Sequence, residues 1–199
     1  MKYFNCAFFI IMIFSGCVTN TVESYPMKKT IEWEFTENEF IQYYTNDPNN
    51  YNIARWIFYD NLNQQSVYEI ECKKLSGAIS IGYGILFDVS DYDNNVCKLF
   101  EINTLGQYTI LSHSLEGRWE KIKDWTTSEG INKGFDVINN IKISKMGNAY
   151  IFFINGSEIY QLAQTKPSGD RFGLFIQTGT ESVESFPNIP ADIQFKIVQ

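Results

Sequence analysis

The chain has 199 residues, with 16 basic against 23 acidic side chains and a net charge of −7. That balance disfavours nucleic acid and anionic lipid headgroups as partners, because both present negative charge. The length suits one domain with a proper core, and an aromatic content of 16% suits the half-buried pleated surfaces of a β-protein.

The first segment reads as a leader. Lys2 gives it a basic start, Cys6 to Phe14 is almost wholly apolar, and Ser15 and Gly16 are small. Its apolar run falls short of the roughly 20 residues that cross a bilayer, so residues 1–16 are expected to be a secretory signal peptide. The stretch Phe14-Ser15-Gly16-Cys17 resembles a bacterial lipobox. That resemblance implies cleavage before Cys17, lipidation of its thiol, and anchoring by more than one acyl chain. Val18 stands where some bacteria place an Asp to retain lipoproteins in the inner membrane, so the expected location is the cell envelope, at the outer membrane or cell surface. Without Lys2 the exported part has 15 basic and 23 acidic residues, a charge of −8. Residues 17–30 are polar, aperiodic and interrupted by Pro26, as expected of a tether.

From Ile31 the chain predicts strand after short strand through to residue 199. Ile31 to Phe35 alternates apolar and charged positions. Thr36 to Tyr44 allows one helical turn at most, with Thr36 and Glu39 as a capping box. Ala54 to Tyr59 and Ser66 to Leu75 are the next strands, followed by Ile79 to Asp88 with Gly82 and Gly84 inside it. Glycine within a strand pattern marks a bend, a bulge or the close approach of another backbone. Further strands are expected at Val96–Asn103, Gln107–Ser112, Arg118–Trp125, Ile138–Lys145, Ala149–Ile154, Ser157–Leu162, Arg171–Gln177 and Ile193–Val198. Asn155-Gly156 is the strongest short hairpin signal. About a dozen strands without a repeat period predict an all-β, two-sheet antiparallel sandwich.

Several motifs fix a family resemblance. Gly82-Tyr83-Gly84-Ile85-Leu86-Phe87, Asp91 to Asn94, Phe100-Glu101-Ile102 and Gly106-Gln107-Tyr108 follow one another as in concanavalin A-like lectin/glucanase domains. Trp119, Trp125, Asn139 to Ile143, Phe152 to Gly156 and Gly169 to Phe175 continue the series. Over about residues 53–198 the chain is similar to jelly-roll domains related to laminin G modules and to 3-keto-disaccharide hydrolase-like domains. The resemblance implies the fold; lectins, glycosidases and interaction modules all share it.

Candidate sites follow from the chemistry of the residues. Trp119, Trp125, Tyr83 and Tyr108 can stack on apolar sugar faces, with Arg118 orienting hydroxyls; Trp56 belongs to the same platform. Asp91, Asp93 and Asn95 resemble the opening of a calcium loop, without its glycine or its terminal glutamate, with Asp88 as a further ligand from the strand end; a polar β-turn is the alternative for the same residues. Glu69 and Glu71 share a strand face as paired carboxylates do in glycosidases, but Lys74 occupies the place of the third acid in the laminarinase-type motif. His113 is the single histidine and has no metal-ligand spacing around it. Cys72 is expected to face inward and Cys97 outward, an arrangement that disfavours a disulfide without excluding it. The expected function is non-catalytic carbohydrate binding with no cofactor other than a possible calcium. The alternatives are a protein-binding adhesion module of the envelope and a glycoside-processing enzyme.

Overall fold

The computed structural model describes residues 33–35, 40–45, 54–59, 66–91, 96–163, 169, 171–177 and 191–198. The leader, Cys17, the tether, Asp93 and Asn95 lie outside the described residues.

Thirteen strands form two antiparallel sheets among the described residues. One sheet contains β1 (Glu34–Phe35), β2 (Ile41–Thr45), β4 (Val67–Ser76), β9 (Asn139–Met146), β10 (Ala149–Ile154), β11 (Ser157–Ala163) and β13 (Ala191–Ile197). Its order is β1-β2-β13-β4-β9-β10-β11. The second contains β3 (Ala54–Tyr59), β5 (Tyr83–Asp91), β6 (Val96–Ile102), β7 (Gln107–His113), β8 (Trp119–Thr127) and β12 (Arg171–Gln177). Its order is β3-β12-β5-β6-β7-β8. The chain crosses between sheets repeatedly, so sequence neighbours such as β3 and β4 sit in different layers.

Alternation places the core between the sheets, because successive side chains on a strand point to opposite faces. Tyr68, Ile70 and Cys72 of β4 meet Ile193 and Phe195 of β13 on the inner face of one sheet. Tyr83, Ile85 and Phe87 of β5 and Phe100 and Ile102 of β6 do the same on the other. Edge-to-face ring pairs close this interior: Phe152 lies 5.1 Å from Phe100 and 5.5 Å from Phe87 between centroids.

The hairpins follow their turn chemistry. Asn155 and Gly156 have φ of 49° and 82°, the positive angles a two-residue hairpin turn requires. Asn103 Oδ1 accepts the backbone N–H groups of Leu105 and Gln107, both at 3.1 Å, and fixes the β6–β7 register.

Two segments depart from their predicted conformation. Residues 79–82, expected as the start of a strand, are a turn and loop leading into β5, which begins at Tyr83. Ile41–Thr45, expected within a possible helical turn, is strand β2. Ile41 and Tyr43 alternate into the core, and pairing with β13 gives this segment a cross-strand partner that local capping signals do not reveal.

Candidate functional site

The six-stranded sheet carries apolar side chains on its outer face as well as its inner one. A second cluster, Leu86, Val89, Cys97, Leu99 and Phe175, occupies its outer face with Ala54, Phe58 and Leu111 packed beside it. Register carries this face across every strand. Trp56 of β3 pairs with Phe175 of β12, and Cys97 of β6 pairs with His113 of β7. His113 in turn pairs with Trp119 of β8.

A pocket of about 50 Å³ opens on this face. Its floor is Leu86, Cys97, Phe58 and Phe175, and Trp56, Trp119 and His113 complete the wall. Trp56 and Trp119 are 39% and 41% exposed, high values for rings seated on a sheet. The His113 and Trp119 rings lie 4.7 Å apart between centroids, and Trp119 meets Phe175 edge-on at 6.2 Å. Rings held in this way present a rigid apolar surface with one imidazole at its edge.

The predicted binding residues divide. Trp119 is on the pocket wall, whereas Trp125 is half-buried beside a register shift in β7–β8 and does not line it. Arg118, the residue before Trp119, is exposed and paired with Glu116 at 3.5 Å. Tyr83 and Tyr108 are corrected: both are core residues, 1% and 5% exposed, on the inner face of the sheet. Tyr108 donates its hydroxyl to the Ile159 carbonyl at 3.3 Å, so neither its ring nor its oxygen reaches the pocket.

Asp88 is also corrected as a calcium ligand. Simple alternation would put it outward beside Leu86, but its φ of 55° and a register shift between Phe87 and Asp91 turn it inward. There its fully buried carboxylate pairs with the Lys98 ammonium. It also accepts the Tyr150 hydroxyl at 3.1 Å and the Gly169 N–H at 3.0 Å. Asp91 ends β5 with its side chain outside the described atoms. Among the described residues no group of three or more His, Cys, Asp or Glu side chains converges.

Glu69 and Glu71 lie on the opposite side of the molecule, on the outer positions of β4. Glu69 accepts from Asn140 at 2.9 Å and pairs with Lys142 at 3.6 Å. Lys74 is buried and donates to the carbonyls of Ala78 at 2.5 Å and Ile81 at 3.0 Å, which fastens the loop entering β5.

Sequence reasoning passed over Glu101. This side chain is 3% exposed, and its Oε2 has no hydrogen-bond partner. Burial pushes its carboxyl up to about 8, with Lys74 only partly opposing that rise. It lies against Gly82, where an added Cβ would stand 2.2 Å from Oε2. Among the described outer positions of β3, β6, β7 and β12, Glu101 is the one carboxylate. Cys72 and Cys97 are not joined in a disulfide and both are buried, one between the sheets and one in the outer cluster. Burial pushes the Cys97 thiol up to about 12 and the Cys72 thiol higher still.

No protein-family model matches the sequence, and no curated protein matches it either. Solved structures do share its fold. The carbohydrate binding module CBM66 from Bacillus subtilis superposes with a TM-score of 0.61 at 13% identity, over 83% of this chain and 88% of that one. A Bacillus licheniformis β-glucanase gives 0.54 at 10% identity, covering 84% and 82%. A family 7 alginate lyase gives 0.52 at 11% identity, covering 86% and 84%. At such identities the likeness is one of fold, and the fold is the two-sheet antiparallel jelly-roll sandwich.

Proposed function

We propose that this chain is an exported, lipid-anchored protein of the cell envelope that binds a carbohydrate without cleaving it. The observation that carries this reading is the pair of exposed rings, Trp56 and Trp119, rimming a pocket on the outer face of the six-stranded sheet. Sugar rings present apolar C–H faces that stack on such indoles while their hydroxyls stay in water. The fold is shared with a protein described as a carbohydrate binding module, which agrees with a binding role. Glycoside cleavage of the usual kind needs two carboxylates about 5–9.5 Å apart across the scissile bond. Among the described residues that line the pocket there is no carboxylate, and Glu101, further along β6, is buried; this supports binding over turnover.

Cys17 is the lipid attachment point in this proposal, and residues 18–30 hold the sandwich away from the membrane. The anchor is tested by detergent-phase partitioning: the Cys17→Ser protein should move to the aqueous phase. The binding reading is tested by glycan-array and affinity-gel retention. Trp56→Ala and Trp119→Ala should each weaken retention about 10-fold, the scale of an aromatic contact near 1.4 kcal/mol. Full retention by the double variant would remove the sheet face from the function.

A further inference from the structure

We infer that the pocket beside Trp119 is an acetyl-group site, so that the carbohydrate recognised is a neutral sugar bearing an acetamido substituent. This inference rests on the carbohydrate-binding reading and adds the ligand's distinguishing group.

Size is the first argument. An apolar cavity of about 150 Å³ accommodates benzene, with six carbons. The pocket here, about 50 Å³, is a third of that and scales to about two carbons. A pyranose ring is too large to enter and must lie outside, against the indole faces of Trp56 and Trp119. What enters is a substituent. A methyl group alone leaves half of the space empty, whereas an acetyl group puts its methyl in the inner half and its carbonyl carbon in the outer half, with the amide oxygen and N–H turned to the mouth.

Chemistry narrows the choice further. Leu86, Phe58, Phe175 and the Cys97 thiol make the floor apolar, and burial keeps that thiol protonated. A hydroxymethyl group, the other two-atom substituent of a hexose, would bury its oxygen against these groups without a partner, which is unfavourable. A carboxylate would be worse: it would lose its hydration in an apolar pocket on a protein of net charge −7. An acetamide divides as the pocket does. Its methyl end is apolar, and its amide end remains at the mouth, where the His113 imidazole supplies a polar group beside Trp119.

The test compares sugars that differ only in this group. Oligomers of N-acetylglucosamine and N-acetylgalactosamine would be titrated calorimetrically against glucose and galactose oligomers of equal length. The acetamido sugars should bind at least about 10-fold more tightly, the smallest discrimination expected for one carbon group in an apolar pocket. N-Propionyl analogues, one carbon longer, should lose that advantage. A Cys97→Leu protein that keeps its melting temperature should bind both series equally, since the added carbons occupy the space. Equal affinity of wild-type protein for acetamido and plain sugars would overturn the acetyl site and leave carbohydrate binding standing. Preference for 6-deoxy sugars would do the same, with a lone methyl as the recognised group. Binding to none of these sugars would remove both readings.

Discussion

Asp88 and Lys98 form an ion pair whose carboxylate is sealed from solvent between the two sheets. The left-handed backbone at Asp88 and the bulge around it exist to aim that carboxylate inward, where Tyr150 and the Gly169 N–H also reach it. Asn tolerates the same backbone but carries no charge. Asp88→Asn should therefore cost about 3–5 kcal/mol, the range for leaving one member of a buried pair uncompensated. Urea unfolding checks this. Lys121→Ala, which breaks the solvent-exposed pair with Asp124, should leave the midpoint unmoved. A cost below about 1 kcal/mol for Asp88→Asn would show the pair to be dispensable.

Glu101 should make stability fall as pH rises. Below its ordinary value of 4.5 both folded and unfolded chains hold the proton, so the residue contributes no pH dependence. Between about 4.5 and 8 the native state keeps the proton while the unfolded state has lost it. The folded state then binds more protons, and stability drops by up to about 1.4 kcal/mol per pH unit. Above about 8 the loss is complete and constant. Glu101→Gln removes this slope, so the difference between variant and wild type should grow in favour of the variant from pH 5 to pH 8. A difference that stays constant across those pH values would contradict a buried, proton-holding Glu101.

Gly84 is where β5 and β6 come closest. An added Cβ there would stand 2.1 Å from the Phe100 carbonyl oxygen and 2.8 Å from the Glu101 Cα, both backbone atoms. Neither can step aside without breaking the ladder. Gly84→Ala should cost about 3 kcal/mol or more, at or beyond the upper end of ordinary overpacking. Gly130→Ala, whose nearest neighbour would be 3.5 Å away, should change stability by less than about 0.5 kcal/mol. Thermal melts of the two variants give the comparison directly.

The two thiols should be silent in the folded protein. The thiolate is the reactive form, and burial holds Cys97 near 12 and Cys72 above it. Alkylation at pH 8 followed by mass spectrometry should find both residues unmodified until urea unfolds the chain. A Cys72–Cys97 disulfide peptide would mean that the facing of one of the two strands is wrong.

The fold could be read from the sequence because its signals are local. Asn155-Gly156 sets one hairpin, Leu105-Gly106 sets another, and the alternation of Tyr68, Ile70 and Cys72 shows which face is buried. The strand at Ile41–Thr45 was less legible, since its partner β13 lies about 150 residues away. The site was legible only in part. Trp119 could be singled out because polar and charged residues surround it in the sequence. Tyr83 and Tyr108 could not be separated from it by composition, because an aromatic ring serves a core and a platform equally well. Register would have separated them: the turn that sets Ile102 opposite Tyr108 also sets Cys97 opposite His113, on the other face. Asp88 escaped the same logic, since a bulge interrupts the alternation on which it depends.

The pocket draws at least one side chain from each of the six strands beneath it. Nothing in its described lining belongs to a connecting turn, so lengthening or shortening the turns leaves its outline intact. A shift of one residue in any strand would instead turn that strand's contribution toward the interior and blank part of the wall. Diversification of ligand choice in such an architecture proceeds by exchanging single side chains on a fixed lattice, and the sandwich itself acts as the ruler that measures the guest.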